Sequence, residues 1–443
     1  MSEPMSFVST RGQSPAVGLS AAIAAGLAPD GGLYVPQGLP PRRALQPAAT
    51  LAETAATLLA PFFAGDALEA ELPAICAAAF DFAAPLRPLA GANDHVLELF
   101  HGPTAAFKDF GARFLAQCLC RLQAGKPPLT IVVATSGDTG AAVAAAFHNV
   151  PGLRVAVLYP DGRVSPRQAH QLGCFGDNIT AWKVAGSFDD CQAMAKAVLA
   201  DADLQATVPL SSANSISLGR LLPQMAYYAH AALVHRRETG RELNLVIPTG
   251  NLGNAMAAIL ARALGVPLGR IALATNANHV LPDFFAGGDY APAPSVATLA
   301  NAMDVGAPSN FERLRWFWQG NDAALRGDFM AASISDERIR ELIARRHAAF
   351  GEVHCPHTAC ALAVLEDLRS DGRAADGEDW AVAATAHPAK FEGIVEPLIG
   401  APVAVPGALA ELLARPSAAL PLPAETTALA ARLQRAVAGD GRH

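Results

Sequence analysis

Lysine is scarce in this sequence of 443 residues. The lysines are Lys108, Lys126, Lys183, Lys196 and Lys390, so the other 28 of the 33 basic residues are arginines. Because arginine supplies the positive surface, a lysine in an apolar segment needs its own explanation. Lys108 follows Phe107 within LFHGPTAAFKDFGARF (99–114). Desolvation would lower its pKa and make the amine a nucleophile, a role that arginine cannot take. An exposed helical lysine beside Asp109 and Arg113 is the alternative at this point.

Strong charge and long apolar runs are also missing. The net charge of −7 argues against nucleic acid and against an anionic membrane surface as partners. No apolar run reaches the length of a membrane span, since proline, glycine or a charge interrupts each one. The N-terminal residues lack the pattern of a secretory signal. The seven scattered cysteines are typical of reduced thiols, so we expect a soluble, cytoplasmic protein with a large core.

From about residue 129 the sequence alternates between β-branched runs, glycine-rich turns and alanine-rich stretches. LTIVVA (129–134) and LNLVIP (243–248) each precede such a turn and stretch. This alternation predicts a mostly parallel sheet covered by helices on both faces, with ligands bound at the carboxyl ends of the strands. Residues 1–92 differ, because proline punctuates their helical stretches, and we predict a separate N-terminal unit there.

Three turns carry candidate binding groups. PTGNLGN (248–254) follows a buried strand and precedes an uncapped helix, so its glycines and free amides favour a phosphate. An ordinary strand-to-helix turn is the alternative, and the spacing matches neither the dinucleotide fingerprint nor a P-loop. ATSGDTGAA (134–142) offers hydroxyl and carboxyl groups, and SSANSISLGR (211–220) ends in Arg220, which could bind an anion. Turn formation and helix capping are the alternatives for these two.

A phosphate cradle and a desolvated lysine are the two features that a pyridoxal phosphate cofactor requires. The segments that suggest this cofactor are part of a longer series of motifs along the chain. They are GLAPDGGLYVP (26–36), HGPTAAFKDFGARF (101–114), ATSGDTGAAVA (134–144), SANSISLGR (212–220), PTGNLGN (248–254), NAMDVGAPSN (301–310) and TAHPAKF (385–391). Together they resemble the threonine synthase family in its longer, bacterial and fungal form, over about residues 7–400.

The resemblance implies an α/β protein with the fold type II architecture of pyridoxal phosphate enzymes, as in tryptophan synthase β. It implies two parallel-sheet αβ domains and a mostly helical N-terminal domain. On this basis we divide the chain into four parts. They are an N-terminal domain (1–92), a large cofactor-binding domain (93–127 and 236–400), a small subdomain (128–235) and a C-terminal helical tail (401–443).

The resemblance also implies roles for particular residues. Lys108 matches the catalytic lysine that bonds to the cofactor. The remaining cofactor-binding residues are expected to be Phe107, Asp138, Gly250, Asn251, Leu252, Gly253, Asn254 and Thr385. Substrate contacts are expected from Thr135, Ser136, Thr139, Asn214, Ser215 and Arg220. Within these sets, Gly250 to Asn254 match the loop for the cofactor phosphate, Thr385 a hydroxyl near the pyridine nitrogen, and Arg220 a grip on the substrate phosphate.

The implied reaction converts O-phospho-L-homoserine and water into L-threonine and phosphate, by γ-elimination and β-addition of water. A dehydratase-like lyase and a non-catalytic cofactor-binding homologue are the alternatives, and the resemblance leaves monomer or homodimer open. HCPHTAC (354–360) suggests zinc at first sight, but the spacing is too tight for a usual tetrahedral site and we predict no metal. Lys390 either lines the site or stands at the start of a helix.

Overall fold

The computed structural model of the protein describes residues 4–439. Its strands are β1 (Phe7–Ser9), β2 (Tyr34–Pro36), β3 (Leu86–Pro88), β4 (His95–Glu98), β5 (Leu129–Ala134), β6 (Leu153–Pro160), β7 (Ile179–Ala185), β8 (Leu210–Ser212), β9 (Leu243–Pro248), β10 (Leu268–Thr275), β11 (Phe329–Ser333), β12 (Asp379–Ala384) and β13 (Leu420–Pro423). They form one two-stranded, one six-stranded and one five-stranded sheet.

The helices cover these sheets. They are α1 (Leu19–Ala25), α2 (Leu51–Phe63), α3 (Leu72–Ala79), α4 (Lys108–Leu122), α5 (Asp138–Phe147), α6 (Pro166–Gly173), α7 (Phe188–Ala200), α8 (Ala202–Thr207), α9 (Leu218–Leu221), α10 (Met225–Thr239), α11 (Gly253–Ala263), α12 (Val280–Phe285), α13 (Phe311–Phe317), α14 (Asp322–Asp328), α15 (Asp336–Phe350), α16 (Pro356–Ser370), α17 (Glu392–Ile399), α18 (Gly407–Leu413) and α19 (Thr426–Gly439). Short 3₁₀ turns occur at Leu222–Gln224, Asn301–Met303 and Pro388–Phe391.

The two larger sheets have the predicted parallel character. The six-stranded sheet has the order β11-β10-β9-β12-β4-β3, and only β3 runs antiparallel to its neighbour. The five-stranded sheet has the order β13-β7-β6-β5-β8 and is parallel throughout. Every residue of β5 and β9 is buried, as expected for strands with helices on both faces.

The C-terminal tail differs from the prediction of a purely helical segment. It contains α18 and α19, but between them β13 adds an edge strand to the five-stranded sheet by pairing with β7. The strand reads LPLP, with Leu422 buried and Leu420 exposed. Proline is tolerated at a sheet edge because the missing N–H faces away from the ladder. The prolines of this segment therefore mark an edge strand.

The N-terminal unit packs against the helix that carries Lys108. Helix α2 begins with a reciprocal cap, in which Thr50 accepts from the Glu53 amide and Glu53 accepts from the Thr50 amide. At its other end Phe63 meets Phe114 of α4 edge-on, with ring centroids 6.1 Å apart. Aromatic packing of this kind holds α4, and with it Lys108, against a rigid core.

Candidate active site

The site residues predicted from sequence come together around one cavity. Those that line it are Phe107, Lys108, Thr135, Ser136, Asp138, Thr139, Asn214, Ser215, Arg220, Gly250, Asn251, Leu252, Gly253, Asn254 and Thr385, which is the whole predicted set. Several of them directly follow strands of the two larger sheets, since Thr135 comes after β5 and Thr385 after β12. The cavity thus lies where the carboxyl ends of parallel strands meet, as in other α/β proteins.

Lys108 is the first residue of α4, and the loop before it is tightly held. The Phe107 amide donates to the Thr385 carbonyl at 2.8 Å, and the His387 amide donates to the Ala105 carbonyl at 3.0 Å. Ala105 has φ of 55°, in the left-handed region that a residue with a Cβ seldom adopts. Two segments distant in sequence therefore fix the position of the lysine.

The surroundings of Lys108 favour its neutral amine. Burial lowers the pKa of Lys108 to about 8, Arg220 and Lys390 act in the same direction, and Asp138 opposes them. The face of the Phe107 ring, whose centre lies 5.7 Å from Nζ, acts with Asp138 because it attracts a cation. At pH 7 an amine with this pKa is deprotonated in roughly a tenth of the molecules, far more than an ordinary lysine, and the neutral form is the one that attacks a carbonyl.

The loop from Gly250 to Asn254 has the geometry of an anion cradle. Leu252 adopts the left-handed conformation, with φ of 63°, immediately before α11 begins at Gly253. The first amides of a helix have no partner within the helix and attract an anion. A Cβ at Gly250 would stand 3.0 Å from the Met303 Cα, so a larger residue there would fit only if its neighbours moved by a few tenths of an ångström.

Asn254, at the end of the cradle, is tied to helix α10. Its Oδ1 accepts hydrogen bonds from the hydroxyls of Tyr227 and Tyr228, while its buried Nδ2 has no partner among the described residues. Burial raises the pKa of both tyrosines, which therefore stay neutral donors. The side chain at this position helps to fix the start of α11 against α10.

Asn310 and Arg313, which the sequence reasoning did not single out, support the cradle from outside. The Asn310 Nδ2 donates to the Asn251 carbonyl at 2.9 Å and to the Ser215 carbonyl at 3.3 Å. The buried guanidinium of Arg313 donates to the Asn310 Oδ1 at 2.6 Å and to the carbonyls of Ile216 and Tyr34. Asn310 ends the NAMDVGAPSN motif, so part of this signal was visible in the sequence.

Replacing Arg313 with Met is expected to destabilise the protein and to loosen cofactor binding. The change leaves three carbonyl oxygens, those of Tyr34, Ile216 and the Asn310 side chain, without this donor, at a cost of about 2–3 kcal/mol. Thermal unfolding and a titration with pyridoxal phosphate would measure the two effects. Arg315→Met on the same helix is the matched control, because Arg315 is exposed and pairs with Asp322. Equal melting temperatures for the two variants would contradict the supporting role of Arg313.

Asp138 is held as a carboxylate beside Lys108. It begins α5, and its Oδ1 accepts from the Gln168 Nε2 at 2.9 Å and from the Lys390 ammonium at 2.8 Å. Burial alone would raise the pKa of Asp138, but the cations of Lys390 and Lys108 outweigh it and hold that pKa well below the usual range. Lys390 lies behind Asp138, in the 3₁₀ turn Pro388–Phe391, and does not line the cavity.

Arg220 places a buried cation in the wall of the cavity. Its side chain is only 2% exposed, its Nη1 donates to the Ala213 carbonyl at 2.6 Å, and its buried Nε has no partner among the described residues. Burial lowers the pKa of Arg220 to about 10, so the guanidinium stays charged. Gly111 makes room for it, because a Cβ there would lie 2.8 Å from the Arg220 carbonyl. A buried donor of this kind suits an anion.

The hydroxyl of Thr135 shapes the turn in which it lies. It accepts hydrogen bonds from the amides of Gly137 and Gly140, at 3.0 and 2.9 Å. The backbone of the turn is therefore fixed at the start of α5, next to Ser136 and Thr139 on the cavity wall. Any contact of Thr135 itself with a ligand would have to share this hydroxyl with the turn.

The segment HCPHTAC is built into the protein by contacts other than metal ligation. Cys355 caps α16 by accepting from the Thr358 amide, and the Cys360 thiol donates to the Thr275 carbonyl at 3.2 Å. The His357 Nε2 accepts from the Ala302 amide at 3.1 Å, and burial lowers the pKa of His357 to about 4. Within residues 4–439 there is no group of three or more His, Cys, Asp or Glu placed to hold a metal ion. None of the helices described there is long and apolar enough to cross a membrane.

Comparison with known proteins finds relatives along most of the chain. Three family models match the chain: pyridoxal-phosphate dependent enzyme (residues 85–386), threonine synthase N terminus (6–80) and threonine synthase, C-terminal (358–432). The threonine synthase of Serratia marcescens is 39% identical over 412 residues, which are 92% of this chain and 94% of that protein. That of Escherichia coli is 37% identical over 434 residues, or 96% of this chain and 98% of the relative.

The fold agrees over the same length. The crystal structure of a pyridoxal phosphate-bound threonine synthase from Brucella melitensis superposes with a TM-score of 0.88 at 33% identity, covering 97% of this chain and 99% of that one. This agreement confirms the predicted fold type II architecture. The match extends through the N-terminal unit, the two parallel-sheet regions and the C-terminal segment, so the chain belongs to the threonine synthase family of pyridoxal phosphate-dependent enzymes.

Proposed function

We propose that this chain binds O-phospho-L-homoserine in the cavity and converts it, with water, into L-threonine and phosphate. The reaction class follows from the family: the protein is a pyridoxal phosphate-dependent lyase with threonine synthase activity. The observation that carries the choice of substrate is the buried guanidinium of Arg220, which lies in the same cavity wall as Lys108. A phosphorylated substrate supplies the anion that this donor suits.

The residues present fit the cofactor. Lys108 offers an amine for its aldehyde, and the left-handed turn at Leu252 presents the free amides of α11 to its phosphate. Gly250 keeps the loop close to Met303, where a Cβ would make a tight contact of 3.0 Å with the Met303 Cα. When bound, pyridoxal phosphate supplies a conjugated ring that takes up electrons from the substrate's α-carbon.

Lys108 is proposed to serve twice. Its amine would hold the cofactor through the cofactor's aldehyde and would be freed when the amino group of the substrate takes that position. The freed, neutral Nζ then stands ready to remove the proton from the substrate's α-carbon, and a pKa of about 8 suits this exchange of protons. A base that reacts at more than one carbon must stay in place between steps, and the tightly bonded loop before α4 provides this.

The other cavity residues are proposed to hold the two ligands. Phe107, Asp138 and Thr385, with the loop from Gly250 to Asn254, would contact the cofactor. The substrate would be bound by Thr135, Ser136, Thr139, Asn214, Ser215 and Arg220. The buried Oδ1 of Asn214 has no partner among residues 4–439, which supports a polar ligand at this end of the cavity.

A paired product assay tests the proposal. Purified protein with pyridoxal phosphate is given O-phospho-L-homoserine, and threonine and phosphate are quantified in the same samples. Equal amounts of both are expected. Phosphate with 2-oxobutyrate in place of threonine would indicate a dehydratase-like lyase. Neither product, from protein that retains bound cofactor, would indicate a non-catalytic homologue or a different substrate.

The proposal also covers the cellular compartment and the oligomeric state of the protein. The cysteines of the chain, all within the described residues, are free thiols, and most of them are buried. Burial raises the pKa of Cys76, Cys174 and Cys191, among others, so these thiols are unreactive core residues. Free thiols are typical of the cytoplasm, which we propose as the compartment. We propose a monomer or homodimer, which light scattering of the purified protein would distinguish.

A further inference from the structure

Lys390 is a buried lysine that the reaction, as proposed, does not use. Its side chain is 0% exposed, and its ammonium contacts one carboxylate oxygen and one backbone carbonyl oxygen. It lies 2.8 Å from the Asp138 Oδ1 and donates to the Thr104 carbonyl at 2.9 Å. A buried ammonium is costly unless it is paired and hydrogen-bonded, and both conditions are met here.

Thr104 connects this lysine to the loop that carries Lys108. The Thr104 amide and hydroxyl donate to the Asp109 carboxylate, at 2.9 and 2.6 Å. The Thr104 amide thus donates to Asp109, while the Thr104 carbonyl accepts from Lys390 at 2.9 Å and from the Gln171 Nε2 at 3.4 Å. Because Thr104 and Asp109 enclose Lys108 in the sequence, these bonds fix both ends of the short segment that positions the amine.

Helix α6 and its N-terminal cap contribute further hydrogen bonds to Asp138 and to the backbone around Lys390. The Gln168 Nε2 donates to the Asp138 Oδ1 at 2.9 Å. The Ser165 hydroxyl, at the N-terminal cap of α6, donates to the Lys390 carbonyl at 2.9 Å, and Arg167 donates to the Ala389 carbonyl at 2.7 Å. One helix therefore fixes both partners of the Lys390–Asp138 ion pair.

We propose that Lys390 is a positioning residue for the proposed reaction: it fixes the Asp138 carboxylate and the Thr104 carbonyl, and its charge balances that of Asp138 beside Lys108. This inference rests on the proposed function, because the amine of Lys108 must lose its proton to react. With Lys390 present, the Asp138 carboxylate has the Lys390 amine as its partner at 2.8 Å. Without it, the ammonium of Lys108 becomes the nearest partner for the carboxylate and holds its proton more strongly.

The charges around Lys108 set the direction of the effect. Burial disfavours the protonated form of Lys108 most strongly. Asp138 favours that form, and Arg220 and Lys390 disfavour it. His357 also faces this cluster, but burial lowers its pKa to about 4, so it carries no charge near neutral pH. Burial raises the pKa of Asp109, whose carboxyl group is bonded to Thr104. Removing Lys390 leaves Arg220 as the only one of these cations that opposes Asp138.

The test measures how the rate at which Lys108 reacts with the cofactor depends on pH. The full-length chain is freed of cofactor and mixed with pyridoxal phosphate, and the rate of bonding to Lys108 is followed by visible absorbance over a range of pH. Lys390→Gln keeps a donor for the Thr104 carbonyl but removes the charge. The pH midpoint of the rate is expected to rise by about one unit or more in this variant. Since the same cofactor is used throughout, its own titration cancels between variants.

Three further variants decide the interpretation. The double variant Lys390→Gln with Asp138→Asn removes both charges, so its midpoint is expected to return toward that of the natural chain. Lys126→Gln, an exposed lysine, is expected to leave the midpoint unchanged. If Lys390→Gln does not fold, Lys390→Met carries the same expectation. A lower rate with an unmoved midpoint would overturn the proposal, since it would show a packing role alone. No substrate is used, so the result stands whether or not O-phospho-L-homoserine is the substrate.

Discussion

Replacing Lys108 with Ala is expected to abolish threonine formation, with a loss of roughly 10⁴-fold or more. The effect is this large because one side chain is proposed to act both as the group that bonds to the cofactor and as the base at the α-carbon. Lys108→Arg is expected to be equally inactive, since a guanidinium cannot lose its proton at the site. Threonine and phosphate are quantified with saturating O-phospho-L-homoserine, and bound cofactor is measured by visible absorbance.

The remaining lysines provide the control for this experiment. Lys126→Ala changes an exposed residue and is expected to retain full activity and a full complement of cofactor. Reduction of the cofactor bond followed by mass spectrometry identifies the lysine to which the cofactor is attached. Attachment to a residue other than Lys108 in the natural chain would contradict the assignment. Retained activity in Lys108→Ala would contradict it as well.

The architecture was predictable where local sequence and long-range structure agree. The runs at β5 and β9 are mostly apolar, each is followed by a glycine-rich turn, and both are interior strands with parallel neighbours. The tail was harder to predict, because LPLP has proline at alternate positions and no strand of its own sequence neighbourhood to pair with. Its partner β7 precedes it by more than 200 residues, so only the tertiary structure defines this strand.

In the candidate site, too, some features were predictable from local sequence and others depend on long-range contacts. Its wall was predictable, because turns at the ends of strands concentrate the polar residues and glycines of Thr135 to Thr139 and of Gly250 to Asn254. The second layer was not predictable in this way. Arg313 contacts Tyr34 and Ile216, far away in the sequence, and its surrounding sequence resembles an ordinary helix surface. From the sequence, Lys390 could either line the site or stand at the start of a helix. Its contacts in the structure place it behind Asp138.

Replacing Arg220 with Met is expected to raise KM for O-phospho-L-homoserine by about 100-fold or more, which corresponds to about 3 kcal/mol of binding free energy. The substituted side chain is similar in length but provides neither charge nor donors. Arg220 is not part of the proposed cofactor cradle, so bound pyridoxal phosphate is expected to remain stoichiometric. Steady-state kinetics and visible absorbance measure the two quantities in the same preparations.

Arg220→Lys separates charge from geometry at the same position. Lysine restores the positive charge, but it has no equivalent of the Nε donor and cannot reproduce the fixed fork that Arg220 makes between the cavity and the Ala213 carbonyl. We therefore expect an intermediate KM, below that of Arg220→Met and above that of the natural chain. Inorganic phosphate, as a competitive inhibitor, should weaken in the same order, because it needs the same donors but no lysine chemistry. If KM for the substrate rose while inhibition by phosphate stayed constant, the guanidinium would act on some other part of the substrate. If neither changed, the buried cation would serve the packing of α9 against Gly111 of α4, and the phosphorylated substrate would lose its main support in the structure.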